Sequence, residues 1–146
     1  MTTDTTYEPF HVNLRVKIAA LWASTMFVVV FVDLFSLYRP DVRADIEAGE
    51  ISGFTINQGF LLGTTAYVAI PCLMIFLSLV LRPHASRITN IVLAGVYALT
   101  IVGGAIGDWN YYILGSAIET LQLAAIVYYC WTWPRVSTPA RVVELA

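Results

Sequence analysis

The stretch FTINQGFLLGTTAYVAIPCLMIFLSLVL, Phe54–Leu81, contains no charged residue. A hydrocarbon core of about 30 Å calls for about 20 apolar residues at a helical rise of about 1.5 Å each. The stretch exceeds that need, so it reads as a membrane-spanning helix, either tilted or with its first turn around Ile56 to Gln58 in the headgroup layer. Three other windows read the same way. One runs roughly from Val16 to Tyr38 with Asp33 in its apolar run. Another runs from Ile88 to Gly107 without a charge. The last runs from Tyr111 to Trp133 and holds Glu119.

The expected fold is therefore all-α, an antiparallel four-helix transmembrane bundle. It forms one membrane domain over residues 1–146, with spans at about 16–38, 55–81, 88–107 and 111–133. The threonine-rich start (1–12) and the tail after Pro134 (134–146) are expected to be flexible and cytoplasmic. Arg15 and Lys17 precede the first apolar run as in a signal peptide, but the run is long and no small-x-small cleavage site follows it. It reads as a retained helix.

Composition agrees. Hydrophobic residues make up 58% of the chain and charged residues 12%, against about 25% charged in soluble domains. Mean hydropathy is +0.73. A net charge of -2 with no basic run interleaved with aromatics argues against nucleic-acid binding. Cys72 and Cys130 lack CxxC spacing, so they read as small buried hydrophobes rather than a redox pair or zinc site.

Short-loop Lys and Arg residues set the orientation. Arg15, Lys17, Arg82, Arg87, Arg135 and Arg141 fall on one side, and only Arg39 and Arg43 on the other. This puts both termini in the cytoplasm of a cell membrane. Tyr38, Trp109, Tyr111 and Tyr112 suit the outer interface, and Tyr128, Tyr129, Trp131 and Trp133 the inner one. In the outer loop, Asp41 is expected to cap a short helix over Val42 to Ala48 that Gly49 ends. Such a helix lies on the membrane or folds over the bundle mouth. The pairs Gly59/Gly63 and Gly103/Gly107, with Gly104, read as packing faces for helices of this chain or another. Pro71 cannot donate to the Tyr67 carbonyl, and a bend is expected there.

An ionisable group inside a span costs roughly 2.5 to 3.5 kcal/mol on insertion scales and calls for a reason. At helical rise, Asp33 lies about 7 Å and Glu119 about 12 Å below the outer end. Gly115, Ser116, Glu119 and Gln122 share one small, polar helix face by i, i+3 and i+4 spacing. Asp33 and Ser36 share another, and Asn57 and Gln58 open the second span. These positions point to an outward pocket lined by Asp33, Asn57, Gln58, Ser116, Glu119 and Gln122, with Tyr67 and Tyr97 as its floor. No Lys or Arg lies in a span core to neutralise the acids, so each is protonated, hydrogen-bonded or paired with a cation. The plainer alternative is a snorkelling Asp33 and a Glu119 that serves as one interhelical hydrogen bond, worth about 0.6 kcal/mol.

His11 and His84 have no partners at metal-ligand spacing. Neither a nucleophile elbow nor a phosphate loop occurs, so an enzyme is the least expected class, and no cofactor or metal is called for.

The chain resembles a family of short, uncharacterised four-span bacterial membrane proteins. The likeness rests on Asp33-Leu34-Phe35-Ser36-Leu37, Phe60-Leu61-Leu62, Ile70-Pro71, the opening of the third span from Arg87 to Ile91, and Glu119 with Trp131 and Trp133. It covers about residues 15–133 and implies four spans without implying an activity. The function expected from the residues is a non-enzymatic binding or transport module for a proton, cation or small amphipathic ligand. The alternative is a structural or accessory subunit of a larger membrane complex. Its partners are then the lipid bilayer and either a second copy or another membrane protein.

Overall fold

A computed structural model describes residues 11–134. The tails expected to be flexible, and Arg135 and Arg141, lie outside the described residues apart from His11, Val12 and Pro134. Four long helices carry the fold: α1 Leu14–Ser36, α3 Gln58–Val80, α4 Pro83–Ala105 and α5 Asn110–Trp131. Each is long and apolar enough to cross a membrane. Between α1 and α3 lie a short helix α2, Pro40–Glu47, and a hairpin of β1, Glu50–Ile51, and β2, Phe54–Thr55.

The helix ends follow local chemistry. The Asn13 side chain accepts the Arg15 N–H at the start of α1, and Asn57 accepts the Phe60 N–H at the start of α3. These bonds satisfy donors that the first turn leaves open. Because Asn57 is the cap, α3 begins at Gln58, so Ile56 is not part of its first turn. α4 starts ahead of the expected Ile88, because Pro83 at its first position is already set for a helix. The polar turn Pro83 to Arg87 extends the helix beyond its apolar window. In α2 the cap is Arg39 and not Asp41. Pro40 occupies the first position, which leaves Asp41 inside the first turn. Gly49 has φ +82°, as expected where that helix stops.

The hairpin turns on Ser52 and Gly53, both at positive φ. A two-residue turn of that hand matches the twist of the paired strands.

The helices form a four-membered ring. α1 packs on α3 and α5, and α4 packs closely on α5, while α3 and α4 touch only sparingly. The buried cluster of Ile18, Trp22, Met74, Ala94, Tyr97, Leu123, Ile126 and Cys130 lies mostly towards the end bearing Arg15 and Arg87. Phe27, Leu61, Leu62, Phe76, Leu99 and Leu121 are exposed around the outside, as a lipid-facing surface requires. Cys130 is buried as expected, but Cys72 is exposed on α3.

The tight helix contact is at Gly115. A Cβ there would collide with Val32, so α1 and α5 approach through that glycine. The GxxxG faces make no such contact among the described residues. A Cβ at Gly63, Gly103, Gly104 or Gly107 would meet nothing within 4 Å, and one at Gly59 would meet only the Asn57 side chain.

Candidate functional site

Pro71 sits inside α3, fully buried. Lacking an N–H, it leaves the Tyr67 carbonyl without its helical partner. The Tyr97 hydroxyl of α4 donates to that carbonyl at 2.5 Å. The Tyr67 hydroxyl in turn meets Thr100 Oγ1 at 2.6 Å, and Thr100 donates to the Tyr97 carbonyl at 2.9 Å. Side chains thus bridge α3 and α4 where their backbones stand apart.

The space so framed is a cavity of about 120 Å³ lined by all four long helices. Asp33 and Thr25 of α1, Tyr67 of α3, Tyr97 and Thr100 of α4, and Tyr112 and Glu119 of α5 reach it, among apolar neighbours including Met26, Val29 and Ile101. Trp22 and Leu123, both 0% exposed, form the floor. Glu119 is 4% exposed. Among the described residues, neither Glu119 nor Asp33 accepts a hydrogen bond from the protein.

A second, larger cavity of about 830 Å³ lies between the Arg39 end of the bundle and the α2–hairpin segment, which folds over the mouth. Asp33 and Tyr112 line both cavities, so they stand at the neck between them. Four carboxylates, Asp33, Asp41, Asp45 and Asp108, face a single guanidinium, Arg39, in this vestibule.

Arg39 holds the vestibule together. It forms an ion pair with Asp41 at 2.6 Å, another with Asp108, and lies over the Trp109 ring at 4.7 Å. The loop after α1 is thereby tied to the α4–α5 turn. Tyr111 adds a hydroxyl bond to Ser36 at 3.1 Å. The hydrogen bond with Asp41 raises the pKa of Arg39, and the same bond lowers that of Asp41.

Below the floor a polar network joins the helices. Trp22 Nε1 donates to Asn90 Oδ1 at 2.6 Å, and Ser78 Oγ lies 3.0 Å from the same oxygen. Asn90 Nδ2 donates to the Ser86 carbonyl at 2.8 Å. Asn90 is 0% exposed, so α1, α3 and α4 are joined in an environment where unpaired polar groups are costly.

Of the residues expected in the pocket, the structure gathers Asp33, Glu119, Tyr67 and Tyr97. The two tyrosines form its wall, and Trp22 with Leu123 is the floor. The other four lie elsewhere. Asn57 is spent as a helix cap, and Gln58 is exposed beside it. Ser116 is buried, with its carbonyl accepting from Thr120 at 2.7 Å. Gln122 turns to α1, donating to Ser24 at 2.8 Å while its Oε1 stays buried and unpaired. The sequence reading missed Tyr112, although it lies seven residues before Glu119 on the same helix face. It also missed Asn90, the one amide in α4, with Ser86 one turn earlier.

Residues 7–139 match a family described as a family of unknown function, DUF6326. No curated protein and no solved structure matches the chain.

Proposed function

We propose, for a chain that belongs to this family of unknown function, a non-enzymatic membrane module that binds or transports a cation or proton through its carboxylate cavity. The observation that supports this is Glu119 itself. It is buried in the bundle, without a hydrogen-bond donor among the described residues, and faces a space that shares Asp33 and Tyr112 with an acidic vestibule. A glutamate serving only to join helices would spend its oxygens on a neighbouring helix. An ionisable group kept free in a membrane interior is a functional candidate. The vestibule's excess of carboxylates raises the local concentration of cations at the neck.

In this reading the Arg39 end faces outward and both termini are cytoplasmic. Arg15 over Trp133, Lys17 over Tyr129 and Arg87 over Trp131 support it. They place basic groups and aromatic rings together at one end, as at an inner membrane interface.

The test is thermal stability of the full chain in lipid across pH and in sodium and potassium salts, beside Glu119→Gln. A ligand that binds the native state stabilises it by mass action. A pH or cation response in the wild type that Glu119→Gln removes supports the module. An equal offset of the variant under every condition means that Glu119 is structural.

A second reading, an accessory subunit of a membrane complex, draws on Gly63 of α3 and Gly103 and Gly104 of α4, where an added Cβ would meet none of the described residues within 4 Å. A stoichiometric membrane partner, or a second copy, would occupy them. Co-purification from native lipid separates this reading from the first.

A further inference from the structure

We infer that the cavity's occupant is a small organic ammonium ion. The inference rests on reading the cavity as a cation site and adds the class of cation. Three observations carry it.

The first is size. At about 120 Å³, the space holds about four waters at a share of roughly 30 Å³ each. A compact ligand of roughly five non-hydrogen atoms fills the same volume. Drug-sized ligands occupy pockets of about 300 Å³ or more and do not fit.

The second is the wall. Tyr67, Tyr97 and Tyr112 ring the space above Trp22. Tyr67 and Tyr97 lie 4.7 Å apart at 36°, and Trp22 meets Tyr97 edge-on at 6.1 Å and 87°. Aromatic faces carry negative potential and recognise alkylammonium groups, the more so when water is excluded.

The third is how the wall's oxygens are spent. A hard metal cation exchanges its hydration shell for several oxygens. Of the oxygen-bearing side chains here, Thr25, Tyr97 and Thr100 donate to backbone carbonyls and Tyr67 is bonded to Thr100, which leaves Asp33, Glu119 and Tyr112 beside Val29, Met26 and Ile101. Among the described residues no group of three His, Cys, Asp or Glu side chains gathers to hold a metal ion. An alkylammonium suits the mixed wall better. Its charge meets the carboxylates, and its methyl groups meet the apolar side chains.

The experiment is thermal unfolding of the full chain in lipid nanodiscs at fixed pH and ionic strength. The probes are methylammonium, tetramethylammonium, tetrabutylammonium, sodium and potassium chlorides. The expected result is a saturable rise of several degrees with methylammonium or tetramethylammonium, and none with tetrabutylammonium. Glu119→Gln should shift that response to at least tenfold higher concentration. Val29→Phe, which fills the cavity and leaves both acids in place, should remove it. Each variant is compared with its own ligand-free baseline, so Val29→Phe decides if Glu119→Gln does not fold.

Sodium or potassium stabilising as strongly as the ammonium ions would overturn the ammonium class and leave a cation site. A pH response dependent on Glu119, with no effect of any added cation, would overturn it and leave a proton site. A response flat in pH and in every salt would remove both the ammonium and the cavity's proposed function. An undiminished ammonium response in Val29→Phe would place the ligand outside the cavity and overturn the inference.

Discussion

The Tyr97 hydroxyl donates to the backbone carbonyl of Tyr67, the acceptor that Pro71 leaves open four residues later. A proline in a membrane helix needs such a substitute donor, because hydrocarbon supplies none. Here the donor comes from the neighbouring helix, so one bond both repairs α3 and bridges it to α4.

Tyr97→Phe should therefore destabilise the protein by about 1 kcal/mol, within the range for one lost bond and an unsatisfied acceptor. The loss should shrink in a Pro71→Ala background, where an N–H again reaches the Tyr67 carbonyl. Equilibrium unfolding of the four proteins of that cycle measures the coupling. Strict additivity would mean that the tyrosine does not replace the proline's missing donor.

Asn90 accepts from Trp22 beneath the cavity floor. Asn90→Leu should cost about 1 to 3 kcal/mol, because it strands a buried indole N–H. Adding Trp22→Phe removes the stranded donor, so the second change should cost less than it does in the wild type. The same unfolding measurement applies.

Gly115 and Gly63 make opposite predictions. Gly115→Ala should cost about 1 to 3 kcal/mol by forcing α1 and α5 apart, and Val32→Ala should recover much of it. Gly63→Ala meets open space, so in isolated protein it should be neutral or slightly stabilising. If a partner helix covers that face, the same change should instead weaken association, read by crosslinking in native lipid.

The vestibule clasp should respond to acid. Asp41 is held below the ordinary carboxylate value by its bond to Arg39. Its contribution is present above that ordinary value, about 3.9, and fades as pH falls through the lowered one. Arg39→Gln should unfold at a lower temperature than wild type at neutral pH. The gap should narrow between about pH 5 and pH 2. The effect should be small, because the Asp41 side chain is 52% exposed and solvent screens the pair.

The spans were legible because a window without charge is a one-dimensional signal. Glu119 and Asp33 were legible for the same reason, as charges interrupting such windows. Helical spacing correctly put Gly115 and Glu119 on an inward face. It did not separate Glu119, which meets the cavity, from Gln122, which meets α1, because a helix face is wide enough to touch two neighbours. Asn57 looked like a pocket residue because its role as a cap depends on where α3 starts. Asn90 was overlooked because a single amide in an apolar helix acquires meaning only when Trp22 and Ser78 arrive from other helices. The Ser52-Gly53 turn carried a local signal of its own, a serine–glycine pair between two short β-prone runs.

Trp22 is at once the floor of the cavity and a donor to the network beneath it. One indole thus belongs to two structures, with its ring turned to the cavity wall and its N–H to Asn90. In the proposed reading, a guest that settled on that floor would press on the bond that ties α1 to α4, so the filling of the cavity and the rigidity of the opposite end of the bundle would be linked through a single side chain.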